Sequence, residues 1–301
     1  MDDQRDKDTQ AVSKYQLAAE LYEANQAQQE EIEKKIKESG PLVTEILPLS
    51  TLSVDFSGHN VYLEKLELLK ELYVGIRRVR RDGNCCYRAF GFALIEYFLK
   101  GNRVEEAKRF IRCCDMCRAT LIENGYTQFT VEDFHEQFTE MVEQFMSGKS
   151  NLVDLEELFN NQSYSDYYVV FLRLLVSAYI QRNADFYANF IAEGKTVRQF
   201  CETEVEPMGL QSDNVHVAAL ALATGVPICV ENCQVSGELK KLVFPATLSS
   251  SDASVATTEG HALNGTSATS NTTTTTSEGV TCDTPITLLY RPGHYDILYS
   301  S

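Results

Sequence analysis

Phe90 to Leu99, FGFALIEYFL, is apolar almost all round. A helix without a polar face cannot lie on a surface, so it has to run through the middle of a domain with other elements packed around it. The surrounding sequence can supply that jacket. Tyr62, Leu66, Leu69 and Tyr73 recur at helical spacing within 60–73. Residues 103–124, 131–147, 151–160, 165–182, 185–193, 197–204 and 213–224 read as further helices. Thr130 with Asp133 and Thr196 with Gln199 resemble capping boxes, and Gly125 stands where a C-terminal cap belongs.

The last part of the chain changes character. Val226 to Val230, Leu239 to Phe244, Ile286 to Tyr290 and Tyr295 to Tyr299 are short β-branched or aromatic runs, which read as strands of one mostly antiparallel sheet. Ile76 to Arg80 reads as a connector. The expected class is α+β: a helical body packed on a small C-terminal sheet, forming one domain over 41–301. Of the 39 residues from 246 to 284, 19 are Ser or Thr, and none is Phe, Tyr or Ile. Such a segment cannot bury enough apolar surface to fold, so it reads as a disordered insertion between two paired strands. Residues 1–11 are polar and read as disordered. Residues 12–39 have helix-forming composition and stop at Gly40-Pro41, giving an N-terminal arm over 12–40. Its second half carries only Ile32 and Ile36 as large apolar residues. That narrow stripe fits either a solvated helix or an arm that orders on a partner.

With 27 basic against 43 acidic side chains the net charge is −16, which repels phosphate backbones and argues against nucleic acid as a partner. The apolar run from Tyr167 to Ile180 is interrupted by Arg173 and is too short to span a bilayer. The N-terminus is charged and lacks an apolar leader core. The nine cysteines are odd in number and include two adjacent pairs, which is no disulfide framework. The chain therefore reads as cytoplasmic or nuclear, with reduced thiols.

Two short segments carry chemistry. Asp82-Gly83-Asn84 is a turn that delivers Cys85 to the start of the buried helix. A helix N-terminus favours thiolate over thiol, and its free amides can stabilise an oxyanion. A cysteine in that place is often merely structural. Near the end, His294 and Asp296 lie two apart in a strand and face the same way. The carboxylate can orient the imidazole and stabilise its cation, as the third member of a triad does. A cysteine at an early helix start with a histidine on a late strand is the papain-like arrangement. Cys114 and Cys117 form a C-x-x-C in mid-helix without the further ligands that zinc needs. No cofactor or metal is expected.

The segment Arg81-Asp82-Gly83-Asn84-Cys85-Cys86-Tyr87-Arg88-Ala89-Phe90 resembles the nucleophile segment of the ovarian-tumour (OTU) deubiquitinases, specifically the otubains. Leu289 to Tyr299, LYRPGHYDILY, resembles their histidine segment, and the likeness runs through Ser165-Asp166-Tyr167 and Glu204 to Met208. It covers most of residues 20–301 outside the Ser/Thr-rich insertion. Cys86 departs from the Phe usual in the family, and Arg81 from the common Pro. The resemblance implies the papain-like OTU fold. It also implies Cys85 as nucleophile, His294 as general base then acid, Asp296 as orienter, and an Asp82 backbone amide in the oxyanion hole. The implied substrate is the isopeptide bond between ubiquitins, with lysine 48-linked chains expected from likeness to the otubain with an extended N-terminus. Tyr15, Leu21, Tyr22, Ile32 and Ile36 would then belong to an arm that contacts ubiquitin or a ubiquitin-conjugating enzyme. Two other functions stay open on the residues: a non-catalytic inhibitor of ubiquitin-conjugating enzymes, and a papain-like peptidase with a different substrate.

Overall fold

The computed structural model describes residues 21–247 and 284–300, apart from 29, 33, 37, 39 and 193. The expected disordered stretches at 1–11 and within 246–284 therefore lie wholly or mostly outside the described residues. The chain divides into two units, Met1–Pro41 and Leu42–Ser301. In the first unit the described residues from 21 to 38 are helical, with Lys35 paired to Glu31 one turn away at 2.8 Å. Gly40 and Pro41 follow outside the helix, as their backbone chemistry requires.

The second unit has seven principal helices among its described residues. These are α1 (Asn60–Leu72), α2 (Cys85–Lys100), α3 (Val104–Glu123), α4 (Gln128–Met146), α5 (Leu152–Asn160), α6 (Gln162–Arg182) and α7 (Asn214–Thr224). The all-apolar segment is the body of α2. Thirteen of its sixteen residues are buried, so the expectation of a central helix holds. Helices α3, α4, α5 and α6 pack against α2 on one side and the sheet on another. Phe90, Phe92, Leu94 and Phe98 are fully buried in the larger core, each stabilising the fold by about 1.5–3 kcal/mol through lost water contact. No helix among the described residues is long and apolar enough to cross a membrane.

The sheet holds β1 (Gly75–Arg77), β2 (Ile228–Asn232), β3 (Lys240–Phe244), β4 (Ile286–Arg291) and β5 (His294–Tyr299) in the order β1-β5-β4-β2-β3. Three pairings are antiparallel and β2–β4 is parallel. Two expectations change here. The connector near Ile76 is in fact an edge strand against β5. The Ser/Thr-rich segment joins strands that are not neighbours, because β2 lies between β3 and β4. A β-branched run announces a strand but not its partner, which is fixed by packing on α2. Ile297 and Leu288 face the larger core, whereas Leu298 and Leu289 meet Leu66 and Leu69 of α1 in a smaller one. With both faces covered, β5 is buried almost throughout, His294 and Asp296 included.

Three details of the helices also differ. α4 begins at Gln128 after Thr127, so Thr130 and Asp133 lie inside it and form no cap. The expected helix at 185–193 is one α-turn, Ala184–Tyr187, followed by a 3₁₀ turn. The Thr196–Gln199 capping box is present, but after Phe200 the helix widens into a π-turn, Cys201–Val205.

Candidate active site

The site is assembled from the turn before α2 and the hairpin between β4 and β5. In the turn, Gly83 has φ +75°, a region L side chains rarely adopt. A Cβ there would lie 1.9 Å from the Gly209 carbonyl oxygen, so nothing larger than glycine fits. The Asp82 carboxylate accepts from the Asn84 N–H at 2.9 Å and from Arg88 Nη1 at 2.6 Å, which ties the turn to the first turn of α2. Arg88 is fully buried and also donates to Ser165 and Asp166. The Asp82 N–H donates to the Arg80 carbonyl at 3.0 Å. The N–H groups of Gly83 and Cys85 have no acceptor among the described residues, as expected at the open end of a helix.

In the hairpin, Pro292-Gly293 makes a two-residue turn between the paired Arg291 and His294, with Gly293 at φ +72°. His294 Nε2 lies 2.8 Å from Asp296 Oδ1, as the i, i+2 spacing on a strand foretells. Asp296 is completely buried and also accepts from the Val79 N–H at 2.9 Å and from Arg291 Nη2 at 2.5 Å. Arg291 Nη1 donates to Asp55 at 2.8 Å, and Asp55 pairs with Arg78 as well. The helix α2, which begins at Cys85, packs on β5, and the backbone amides of Tyr295 and Cys86 favour the ionised form of its sulfur. The structure thus brings the helix that starts at Cys85 against the strand that starts at His294. His294 Nδ1 is buried and has no hydrogen-bond partner among the described residues.

Charge states follow from these contacts. Burial alone would raise the Asp296 carboxyl. The His294 hydrogen bond, the nearby positive charge and the Val79 amide outweigh burial and hold it below the ordinary range. It is therefore ionised at neutral pH. An ionised carboxylate only accepts, so His294 carries its proton on Nε2 and presents a bare lone pair at Nδ1. Burial pushes His294 down, opposed by Asp296 and reinforced by Arg291 and Arg81, so the ring rests neutral. Burial pushes the Cys85 thiol up to about 11, against the pull of the Tyr295 and Cys86 amides. The expectation of a resting thiolate is corrected: Cys85, 3% exposed, is held as a thiol chiefly by burial. Cys85 thus rests as a thiol and His294 as a neutral imidazole.

A pH prediction follows. Below a thiol pKa of about 11 the thiolate fraction grows roughly tenfold per pH unit. Alkylation of Cys85 by iodoacetamide, resolved from the other thiols by peptide mapping, should therefore climb steadily from pH 7 to about pH 9. A plateau already reached at pH 7 would mean a thiolate–imidazolium pair at rest and contradict the burial argument.

The other sequence candidates are distributed as follows. Leu21 and Tyr22 are exposed at 55% and 63%, Ile32 is exposed and Ile36 is half-buried, while Tyr15 lies outside the described residues. Cys114 and Cys117 face the core from α3, and no group of three or more His, Cys, Asp or Glu among the described residues could hold a metal. Sequence reasoning did not single out Arg88, Arg173 or Arg291 as parts of the site. The usable signal was a charged residue amid apolar neighbours, which has to find buried partners.

A family model described as Peptidase C65 Otubain matches residues 35–300. Human ubiquitin thioesterase OTUB1 is 40% identical over 280 residues, covering 92% of this chain and 90% of that protein. An Arabidopsis thaliana ovarian tumor domain-containing deubiquitinating enzyme 1 is 38% identical over 265 residues, covering 86% and 81%. A solved complex of OTUB1 with ubiquitin aldehyde and UBCH5B~Ub aligns with TM-score 0.76 at 32% identity, covering 93% of this chain and 98% of that one. A complex with ubiquitin aldehyde and UBC13~Ub aligns equally well, at TM-score 0.76.

Proposed function

Because the chain belongs to the otubain family of C65 cysteine peptidases, we propose that it hydrolyses isopeptide bonds between ubiquitin units with Cys85, His294 and Asp296 as its triad. The observation that carries this reading is the packing of α2, which begins at Cys85, on β5, which begins at a His294 bound to Asp296 with its Nδ1 left open. In the first step the Cys85 proton passes to His294 Nδ1 as the sulfur attacks the isopeptide carbonyl carbon. The carbonyl π electrons move to oxygen, where the Cys85 and Gly83 amides can receive the charge. Asp296 stabilises the imidazolium that forms. His294 then protonates the departing lysine amine, leaving a thioester on Cys85. Water, deprotonated by the same imidazole, hydrolyses that thioester and restores the thiol. The Asp82 amide supports the oxyanion only once it leaves the Arg80 carbonyl; its carboxylate shapes the turn throughout.

The substrate reading goes further for lysine 48-linked chains, on the likeness to otubains with an extended N-terminus. Residues 12–40 would act as an arm for the second ubiquitin, which exposed Leu21, Tyr22 and Ile32 favour. A second role, binding and inhibiting ubiquitin-conjugating enzymes, is favoured by the likeness to complexes that contain UBCH5B~Ub and UBC13~Ub. Both roles place the protein in the cytoplasm or nucleus, where thiols stay reduced. Incubation with ubiquitin dimers of each linkage, read on a gel, tests the hydrolase. The expected result is cleavage of the lysine 48 dimer ahead of the others. Cleavage of another linkage alone would overturn the linkage, and cleavage of none would leave only the binding role.

A further inference from the structure

Four arginines are buried to 3% exposure or less: Arg77, Arg88, Arg173 and Arg291. Three of them pair with two carboxylates each: Arg77 with Glu96 and Glu156, Arg88 with Asp82 and Asp166, and Arg291 with Asp55 and Asp296. Arg173, on α6, pairs with none among the described residues. A buried cation without a counter-ion is costly to keep, so its other partners are informative. Its Nη1 donates to the Val205 carbonyl at 2.9 Å. Its Nη2 donates to the Gly83 carbonyl at 3.0 Å, to Asn84 Oδ1 at 3.0 Å and to the Leu210 carbonyl at 2.7 Å. The guanidinium also lies 4.6 Å from the centre of the Tyr87 ring. Asn84 Oδ1 takes a second bond from the Gly209 N–H at 2.8 Å. One cation therefore gathers the turn before the nucleophile and the segment 205–210 onto a single point.

We propose that Arg173 is a positioning residue that locks the Gly83–Asn84 peptide with its carbonyl turned inward, so that the turn offers amides rather than a carbonyl oxygen to the oxyanion. The inference rests on the hydrolase reading above. A glycine at φ +75° makes rotation of the next peptide plane easy, because no side chain opposes it. A rotated plane would expose the Gly83 carbonyl, whose partial negative charge would repel the developing oxyanion. The Arg173 bond to that carbonyl opposes the rotation from within, and the Asn84 N–H bond to Asp82 holds the opposite edge of the same plane. The sulfur, His294 and Asp296 take no hydrogen bond from Arg173, whose charge reaches the Cys85 sulfur only through space, so oxyanion binding depends on Arg173 more than thiol ionisation does.

The test compares Arg173→Met, Arg173→Lys, Asn84→Ala and Arg77→Met in the full chain, against the ubiquitin dimer that the wild type cleaves best. Arg77 serves as a control for burial, since it takes no part in the turn. Arg173→Met should lower kcat about 100-fold, the scale of a lost oxyanion donor, with KM within about threefold. Alkylation of Cys85 by iodoacetamide should stay within about threefold of wild type. Asn84→Ala, which keeps the cation, should show the same split with a smaller fall, and Arg173→Lys should recover part of kcat. Arg77→Met should leave kcat within about threefold while it remains folded. A kcat for folded Arg173→Met equal to that of Arg77→Met would overturn the inference. So would alkylation falling in step with kcat, which would mean a general loss of the site. If Arg173→Met does not fold, an unaltered kcat for Asn84→Ala has the same force. A wild type that cleaves no dimer overturns the hydrolase reading itself, and this inference with it.

Discussion

Cys85→Ala should abolish hydrolysis of ubiquitin dimers, by at least about 10⁴-fold, and end labelling by ubiquitin bearing a C-terminal electrophile. No other sulfur can substitute. Cys86 is adjacent in sequence, but it lies one position further round α2, is 2% exposed, and is held protonated chiefly by burial and then by the neighbouring Cys85. The Tyr295 amide favours the ionised form of Cys85 and has no counterpart at Cys86. Cys86→Ala should therefore keep both activities, with only the modest destabilisation that a small buried truncation brings. The substitution of Cys85 removes one atom from the start of a helix held by Asp82, Arg88 and Arg173, so the fold should be unchanged. Gel-read cleavage, probe labelling and melting temperature on the same preparations check all three statements. Labelling that survives Cys85→Ala and is lost with Cys86→Ala would reverse the assignment.

Arg291→Met has the second largest effect, on stability and on the pH range of activity together. The change leaves Asp296 buried with His294 and one amide as its remaining partners, and leaves Asp55 with Arg78 alone. Breaking one side of a buried pair costs about 3–5 kcal/mol. Arg78→Met removes an ion pair of similar sequence chemistry, but both partners are partly exposed, so about 1 kcal/mol or less should be lost. Equilibrium denaturation distinguishes the two. The sign of the pH effect is also fixed. Arg291 helps hold the Asp296 carboxyl down, so removing it raises that pKa. A protonated Asp296 no longer stabilises the imidazolium, and activity is lost as pH falls. The acid limb of the rate profile should therefore begin at higher pH in Arg291→Met than in wild type, and Arg291→Lys should lie between them. An Arg291→Met protein within about 1 kcal/mol of wild type would show that the buried network is not what holds Asp296.

The parts of the site that were legible in the sequence are those set by local geometry. The turn Asp82-Gly83-Asn84 and the helix that follows depend on residues close in the chain, as does the His294–Asp296 contact two places apart on a strand. Asp296 could be recognised as an acid among apolar neighbours in need of a partner. Its second partner could not, because Arg291 is held in turn by Asp55, 236 residues earlier in the chain. Arg173 was visible only as the charge that interrupts an apolar run; its bonds to Gly83 and Leu210 exist only after α6 has packed beneath the turn. The state of the thiol was misread for the same reason. A helix terminus is a local property, whereas the burial that overrides it comes from β5 closing over Cys85. The sheet shows the same limit: its strands were recognisable one by one, but the parallel β2–β4 pairing and the edge strand at Gly75–Arg77 are products of tertiary packing.

The central claim, that Cys85 is the sulfur that attacks the carbonyl at the end of ubiquitin, is tested most directly by locating the bond. The wild-type protein is reacted with ubiquitin carrying a C-terminal electrophile, digested with trypsin, and fragmented across the peptide from Asp82 to Arg88 in a mass spectrometer. Fragment ions that separate residue 85 from residue 86 should carry the entire added mass on Cys85, and the adduct should be absent from His294→Asn assayed for the same time. Mass on Cys86, or an adduct that forms as fast without the imidazole, would contradict the account.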